Sequence, residues 1–351
     1  MIKIFILTFF LVFSIDLPAS SIVDLYGDDS ALSEIILKKY SKRVGEIESL
    51  FQEKIKKKLQ NNDLDFSMGK VIEKKNKLIE EIKKEGGFLY VNFSTVLYPG
   101  SNNKYTTIEV VNKNQPDRLR FVTSEINVKN DNNKKDDLIN QMIIFRNIEI
   151  ILIINNKLNI KNMTCPVYHC ISGFNHVKLK PYLKIFNDGA IKEKKLIIDT
   201  LNKDHNSERR AAAAFLIGHF NDPEEIISLL LPHINDNNNI VRNNVMRVIA
   251  STMSKAKIYH INMIPFLDLL DSPENTDRNK ALYILSKAIL SPFSKKNIII
   301  KNGGNKLLAL LRLKQPNNHD ISYEILKKVS GRDFGDKNID SWNKWLRSVQ
   351  N

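Results

Sequence analysis

Two cysteines and two histidines stand close together, and their types could support two different chemistries. Cys165, His169, Cys170 and His176 lie in the segment TCPVYHCISGFNH, and these are the only cysteines of the chain. Four nitrogen and sulfur donors are the number that a tetrahedral zinc site uses. The adjacency of His169 and Cys170 is awkward for one metal centre, however, and a pair of cysteines this close can instead close a small disulfide loop. We expect the Cys165–Cys170 disulfide, with two buried free thiols and a metal site as the alternatives.

Neither the other histidines nor any known catalytic signature in the sequence indicates an enzyme. The chain lacks the glycine-rich phosphate loops, the zinc-protease helix signature and the serine-hydrolase elbow. His205, His219 and His233 fall at the ends of predicted helices, where we interpret them as solvated or packed side chains. The sequence therefore predicts a protein that is not an enzyme, with no catalytic residues, no metal ligands and no cofactor.

The first twenty residues have the pattern of a targeting signal. Lys3 is followed by an apolar stretch over 4–15 and by small residues at Ala19, Ser20 and Ser21. The stretch is shorter than the about 20 residues of a bilayer-spanning helix. We therefore predict a cleavable signal peptide over 1–20, which places the mature protein in an exported compartment, periplasmic or secreted.

The charge balance suggests which partners the chain could meet. The chain has 351 residues, of which 42% are hydrophobic, so it should be globular, and its formal net charge is +14. Excess positive charge favours anionic partners such as acidic proteins, anionic polymers or membrane surfaces. Because the basic residues are spread along the whole chain, we favour the interpretation that they form a lysine-rich surface without such a role. We do not expect nucleic acid among the partners.

Two segments of different character precede the repeated part of the chain. Apolar residues three or four apart, among them Leu32, Ile36 and Tyr40, predict two helices that form a hairpin over 21–87. From residue 88 the aromatic and β-branched content rises, and FLYVNFSTVLYPG, KYTTIEVVN and RLRFVTSEINV predict three strands of a small antiparallel sheet over about 88–128. The stretch LINQMIIFRNIEIILIINNKLNI, in the same β-rich or mixed segment over 88–160, fits either a buried helix or two strands, and its length leads us to assign it to a helix.

A phrase is repeated in the second half of the chain. RRAAAAFLIG and VRNNVMRVIA follow polar turns, and similar units span 196–218, 227–250, 264–286 and 307–330. Arg210, Arg242 and Arg278 mark the first three units at spacings of 32 and 36 residues, and Asp204 and Asp236 each precede their arginine by six. Periods of this size predict stacked helix pairs.

Packing accounts for the residue types in the phrase. Ala213 and Ala214 allow close approach between neighbouring helices. The turn aspartates can accept hydrogen bonds at a helix N-terminus, and the arginines can reach carboxylates in the next unit, forming a structural ladder. At the end of the chain, Trp342 and Trp345 lie one turn apart on a predicted helix and should cap the open core.

The repeats resemble the HEAT-repeat family, in particular the HEAT-like repeats of bilin lyases, over about 190–330. The fourth unit departs from the pattern because Ser322 stands where arginine is expected. The resemblance implies a mainly α fold, a HEAT-like α-solenoid of about four helix pairs over 161–351 with a C-terminal cap. It also implies a scaffold that holds a protein or peptide, although some relatives bind nucleic acid or act in cofactor attachment. We therefore expect an exported binding scaffold. The alternatives are a binder of anionic polymer or membrane surface, and a metal-binding or enzymatic protein centred on Cys165–His176.

Overall fold

The protein is mainly α-helical, with one small sheet near the N-terminus, as the sequence predicts. A computed structural model describes residues 21–61, 69–98, 103–122, 136–158, 164–292 and 296–350. The predicted signal peptide over 1–20 lies outside the described residues.

The N-terminal part is a three-stranded sheet covered on one side by two helices. It comprises β1 (Ser21–Tyr26), α1 (Ala31–Asn61), α2 (Gly69–Gly86), β2 (Tyr90–Leu97) and β3 (Lys104–Val111). β3 is central, with β1 parallel to it on one side and β2 antiparallel on the other.

Two details of the sequence prediction are wrong here. The hairpin predicted over 21–87 contains a strand, β1, which pairs with a partner far along the chain and so leaves little local signal. The start of the segment RLRFVTSEINV is not a strand, because a 3-10 helix spans Pro116–Phe121 with its proline in the first turn. Residues 123–128 of the segment lie outside the described residues. The sheet is therefore mixed rather than an antiparallel meander.

The two faces of the sheet contact different partners. Leu25 and Phe93 lie opposite Ile108 in the strand register and pack with it against α1 and α2. The next residues along β1 and β3, Tyr26 and Glu109, point to the opposite face. That face meets the helical repeats, where the Tyr26 hydroxyl donates to the Leu270 carbonyl at 2.7 Å.

The remainder of the described chain consists of successive helices. They are α3 (Leu138–Ile154), α4 (Lys180–Lys192), α5 (Lys194–Lys203), α6 (Ser207–Ile217), α7 (Pro223–Leu230), α8 (Asn239–Ala256), α9 (Ile264–Asp268), α10 (Asn275–Ala288), α11 (Lys296–Leu311), α12 (Pro316–Ser330) and α13 (Ile339–Gln350). Short 3-10 helices extend α7 and α9 over Leu231–Asn235 and Leu269–Asp271. The helix prediction for α3 is confirmed.

Helices α3, α6, α8, α10 and α12 contact one another in that order, and we call them the second-helix layer. Ala213 and Ala214 are fully buried on α6. The glycine pair of NGGNK lies inside α11. A Cβ atom on Gly303 or Gly304 would come within 2.5 Å of the Leu267 or Leu346 side chain, so the pair allows neighbouring helices to approach.

The turns before the second helices share one arrangement. Asn206 and Asn238 are the N-caps of α6 and α8, and each side chain accepts two backbone N–H groups. Asp204 and Asp236 lie two residues earlier and accept the N–H of these asparagines at 2.9 and 2.8 Å. The aspartates therefore order the turn, while asparagine caps the helix.

The marked arginines connect each turn to the next. Arg210 donates to the carbonyl of Asp204 in its own turn and to the carboxylate of Asp236 in the following unit. Arg242 repeats the pattern with the Asp236 carbonyl and the carboxylate of Asp277, both within 2.7 Å. At the other end of the layer, Arg209 joins Asp204 to Asp137, the N-cap residue of α3.

The third marked arginine pairs with a carboxylate outside the repeats. Arg278 donates to the carbonyl of Ser272 in its own turn, but its carboxylate partner is Glu109 on β3, with N–O distances of 2.7 and 2.8 Å. Both side chains are at most 1% exposed. In the fourth unit, buried Ser322 replaces the arginine. The sheet therefore supplies the carboxylate that the next repeat supplies elsewhere.

The two tryptophans lie at the end of the helical part. Trp342 is fully buried and Trp345 nearly so, and their rings meet edge to face. The indole N–H of Trp342 donates to the Gly335 carbonyl at 2.8 Å, so the buried polar atom is satisfied. α13 packs on α11.

Replacing Glu109 with Gln should leave Arg278 as a buried charge without a counter-charge. We expect the free energy of unfolding, measured by urea denaturation at pH 7, to fall by about 3–5 kcal/mol. The exposed Arg120–Asp268 bridge joins the same two parts of the protein, with side chains 46% and 47% exposed. Its Asp268→Asn variant should cost less than about 1 kcal/mol. An equal loss in both variants would contradict a special role for the buried pair.

Candidate functional site

The predicted disulfide is present and fixes a loop on the ends of two second-layer helices. Cys165 and Cys170 are joined to each other. The Tyr168 N–H donates to the carbonyl of Gly218 after α6 at 3.0 Å. Lys255 at the end of α8 donates to the carbonyls of Cys165 and Val167. The loop therefore covers the C-terminal ends of α6 and α8.

The disulfide argues against zinc binding by Cys165 and Cys170. A disulfide leaves neither sulfur as a thiolate, which is the form that binds zinc. In the described ranges, no group of three or more His, Cys, Asp or Glu side chains could hold a metal ion. The Nδ1 atom of His176 accepts the backbone N–H of Lys178 at 3.1 Å.

His169 turns from the disulfide loop into the protein. Its Nδ1 lies 3.0 Å from the Ser251 hydroxyl on α8, and its ring stacks on Phe215 at 5.1 Å between centroids. The Nε2 atom is buried and has no hydrogen-bond partner in the described structure. Burial and the nearby positive charges of Arg247 and Arg146 hold the pKa of His169 well below its usual value.

Arg146 approaches the same phenylalanine from α3. Its guanidinium lies 5.0 Å from the centroid of the Phe215 ring and forms an ion pair with Glu149. Glu149 is 1% exposed and also accepts the backbone N–H of Ser172 at 2.8 Å. Burial and the charge of Arg247 lower the pKa of Arg146 to about 9. Arg146 is thus a desolvated cation with one counter-charge.

Arg247 and Lys280 continue this set of cations on the adjacent helices α8 and α10. Arg247 donates to Asn243 at 3.4 Å, and Lys280 donates to Asn279 at 2.7 Å. Among the described residues, neither forms an ion pair. Burial lowers the pKa of Arg247 to about 10, and burial together with the charge of Arg247 holds the pKa of Lys280 well below its usual value. We call Arg146, His169, Arg247 and Lys280 the cationic recess.

The recess lies in a polar surface on the second-helix layer. Half-buried polar residues recur three or four apart on α8, at Asn243, Arg247, Ser251 and Ser254. The Ser254 hydroxyl lies 3.4 Å from that of Tyr283 on α10, so the two helices present adjoining polar stripes. We call this surface the polar face. Its residues are neither part of the apolar core nor fully exposed.

Two cavities lie beside the disulfide loop. A cavity of about 20 Å³, close to the volume of one water, is lined by Arg146, Glu149, His169 and the neighbouring His219. His219 is also in contact with Asn187, at 2.8 Å from its Nδ1. A wider groove of about 570 Å³ lies outside the loop and includes His219 and Lys255 among its lining residues.

The ladder residues predicted from the sequence lie away from the cationic recess. The predicted ladder residues Asp204, Arg210, Asp236, Arg242 and Arg278 lie together at the turn edge of the helices, where they are bonded to one another, to Asp277 and to Glu109. Sequence reasoning missed Arg146, Arg247 and Lys280. The available signal was that Arg247 falls in register with polar residues on α8, but only the packing shows that this stripe is partly buried.

Comparisons with known proteins add no identity: no protein family, no curated protein and no solved structure matches the chain. Within the described part of the chain, none of the helices has the length and apolar character needed to cross a membrane.

The buried histidines should make the fold sensitive to acid. Burial lowers the pKa of His219 to about 3, from 6.5. Between these values the unfolded chain binds a proton that the folded protein does not, so stability is present above pH 6.5 and falls with pH. We expect His219 to contribute a loss of about 1.4 kcal/mol per pH unit below pH 6.5. Urea denaturation from pH 7 to 5 should show a shallower loss for His219→Asn. The exposed His205→Gln should keep the wild-type slope; identical slopes in all three proteins would contradict the assignment.

Reduction of the disulfide should loosen the loop that carries His169. For so short a closed loop we expect a loss of about 2 kcal/mol in the free energy of unfolding, measured with and without dithiothreitol. Mass spectrometry should show a gain of two hydrogen atoms on reduction and no alkylation before it. A Cys165→Ser/Cys170→Ser variant should match the reduced protein and be unaffected by dithiothreitol. Alkylation of the unreduced protein would contradict the prediction.

Proposed function

We propose that the chain is an exported, non-enzymatic scaffold that holds a protein or peptide on the second-helix layer of a HEAT-like α-solenoid. The signal-peptide pattern and the Cys165–Cys170 disulfide support export, because disulfides persist in oxidising compartments.

Three features support the solenoid. Successive second helices contact one another along the layer. The arginine marking the first two repeats meets a carboxylate of the next, at Asp236 and then at Asp277. Trp342 and Trp345 lie where a terminal cap would cover the last pair. Stacked helix pairs commonly offer an extended surface for a partner.

The sheet restricts where a partner could bind. Arg118 and Arg120, just after β3, contact the turn before α10, with Arg118 donating to the Asp271 carbonyl at 2.8 Å and Arg120 to the Asp268 carboxylate. The Asn317 N–H donates to the Tyr98 hydroxyl at 2.9 Å. These contacts occupy the turn edge of the third and fourth pairs, so this edge is unavailable to a partner.

The polar face is the observation that carries the proposal. Residues that pack only against their own chain are usually apolar, whereas the adjoining stripes of α8 and α10 are polar and half-buried and include the aromatic Tyr283. Interfaces with partners combine polar side chains with aromatic residues and arginine. The stripes therefore suit a surface that a second chain covers.

Site-specific cross-linking would test the proposal. A photoreactive phenylalanine analogue at Tyr283 of the full chain should attach to one protein among the exported proteins of the source organism. The same analogue at Ile191, 70% exposed on α4, is the control and should give no such adduct. The captured protein, once purified, should bind the wild-type chain in solution. Equal adducts at both positions would overturn the assignment.

The net charge of +14 supports a second candidate, a binder of anionic polymer or membrane surface. This function predicts retention on anionic vesicles that falls steeply with salt concentration and no protein adduct at Tyr283. That pair of results would replace the scaffold proposal with the second candidate.

A further inference from the structure

The disulfide separates two spaces of different size. Cys165 lines the groove of about 570 Å³ outside the loop, which we call the loop groove and whose described lining also includes Val167, Ile191, Asn221 and Lys255. Cys170 lines the cavity of about 20 Å³, which has room for about one water. Both cysteines are half-buried. A thiol compound can therefore approach the disulfide through the loop groove, beside Cys165, but not through the cavity beside Cys170.

The disulfide places only a weak constraint on the fold. Cys165 and Cys170 are five residues apart, so the bond joins no distant parts of the chain. A disulfide stabilises a protein mainly by restricting its unfolded chain, and in that account the shortest closed loops contribute least. Hydrogen bonds also hold the loop, from the Tyr168 N–H to the Gly218 carbonyl at 3.0 Å and from Lys255 to the Cys165 carbonyl at 2.7 Å. The protein can therefore stay folded when the disulfide is broken.

The loop groove has the size and the lining to hold a small peptide thiol. Its volume lies within the range of ligand pockets. Val167 and Ile191 supply apolar surface, and the carboxamide of exposed Asn221 can both donate to and accept from a peptide group. Among the described residues that line the groove, none is an aspartate or a glutamate. An approaching thiolate is therefore not repelled by a carboxylate of this lining.

We propose that the Cys165–Cys170 disulfide exchanges with a small peptide thiol bound in the loop groove. The thiolate forms a bond to the sulfur of Cys165 while the Cys165–Cys170 bond breaks, and the electron pair leaves on Cys170 as a thiolate. A second thiol molecule then attacks the sulfur of the first in the mixed disulfide. Both cysteines end reduced and take up the two protons, and the two thiol molecules end joined as a disulfide. This inference goes beyond the scaffold proposal and does not depend on it.

Exchange frees the residue that the closed loop holds inside the protein. His169 is the neighbour of Cys170 and is held against Ser251 and Phe215. Its buried Nε2 atom has no hydrogen-bond partner in the described structure, which makes the inward position unfavourable once the loop is open. Reduction therefore lets His169 turn to water and titrate. The disulfide acts as a redox switch that decides whether this imidazole is buried or hydrated.

Partial reaction of the folded, full-length protein with reduced glutathione at pH 7.5 tests which sulfur is attacked. The released thiolate is trapped with iodoacetamide, and tandem mass spectrometry locates both added groups. We expect glutathione on Cys165 and the carbamidomethyl group on Cys170, in at least about tenfold excess over the reverse assignment, because only the groove side admits the thiol. An equal distribution, the reverse one, or reaction only after unfolding in urea would overturn the proposal.

Crowding of the loop groove tests the route of approach. Asn221→Trp places a large side chain at the groove and should slow the reaction with glutathione by about fivefold or more. Asn147→Trp, at an exposed position that does not line the groove, should keep the wild-type rate. Equal rates in the wild type and in both variants would overturn the binding of the thiol in this groove.

NMR titration of the histidine rings tests the switch. Burial holds the pKa of His169 well below its usual value of 6.5 while the disulfide is closed. After reduction with dithiothreitol we expect this pKa to rise to about 6.5, while the ring signals of exposed His205 keep their positions. A low pKa of His169 in the reduced, folded protein would overturn the switch. None of these measurements involves Tyr283, so the scaffold function can fail while the exchange stands, or the reverse.

Discussion

The buried pairing of arginine with carboxylate is the interaction on which the arrangement of the molecule depends. A buried guanidinium must meet a counter-charge and have its N–H groups bonded, or the fold loses several kcal/mol. Arg210 and Arg242 meet this requirement with a carbonyl of their own turn and a carboxylate of the next unit. The same requirement at Arg278 is met from β3 by Glu109. One rule thus spaces the helix pairs and attaches the sheet to them.

Two sets of cations on the second-helix layer have different partners. At the turn edge, each arginine has a carboxylate within hydrogen-bonding distance, and the pairs exclude further ligands. Within the described part of the chain, Arg247 and Lys280 bond to side-chain amides of their own helices rather than to carboxylates. The first set makes the fold specific.

The disulfide loop fixes the position of His169 on the helices. It is short and lies across the ends of α6 and α8, where Lys255 and Gly218 bond to its backbone. Because Cys165 and Cys170 close the loop, His169 is held against Phe215 and Ser251 rather than in solvent. The feature that first suggested metal chemistry therefore serves to position one residue of the recess.

Periodic patterns in the sequence were sufficient for the local structure of the repeats. The recurrence of Arg210, Arg242 and Arg278 predicted helix pairs, and the spacing of the two cysteines predicted the disulfide, because these features depend on neighbours in the chain or on a repeated unit. Tertiary structure alone decided that β1 pairs with β3, that Glu109 completes the arginine series, and that Arg146 and His169 both lie against the Phe215 ring. Those contacts join residues far apart in sequence. Whether a cation is buried, and therefore loses its hydration, depends on the packed molecule and not on the residue type.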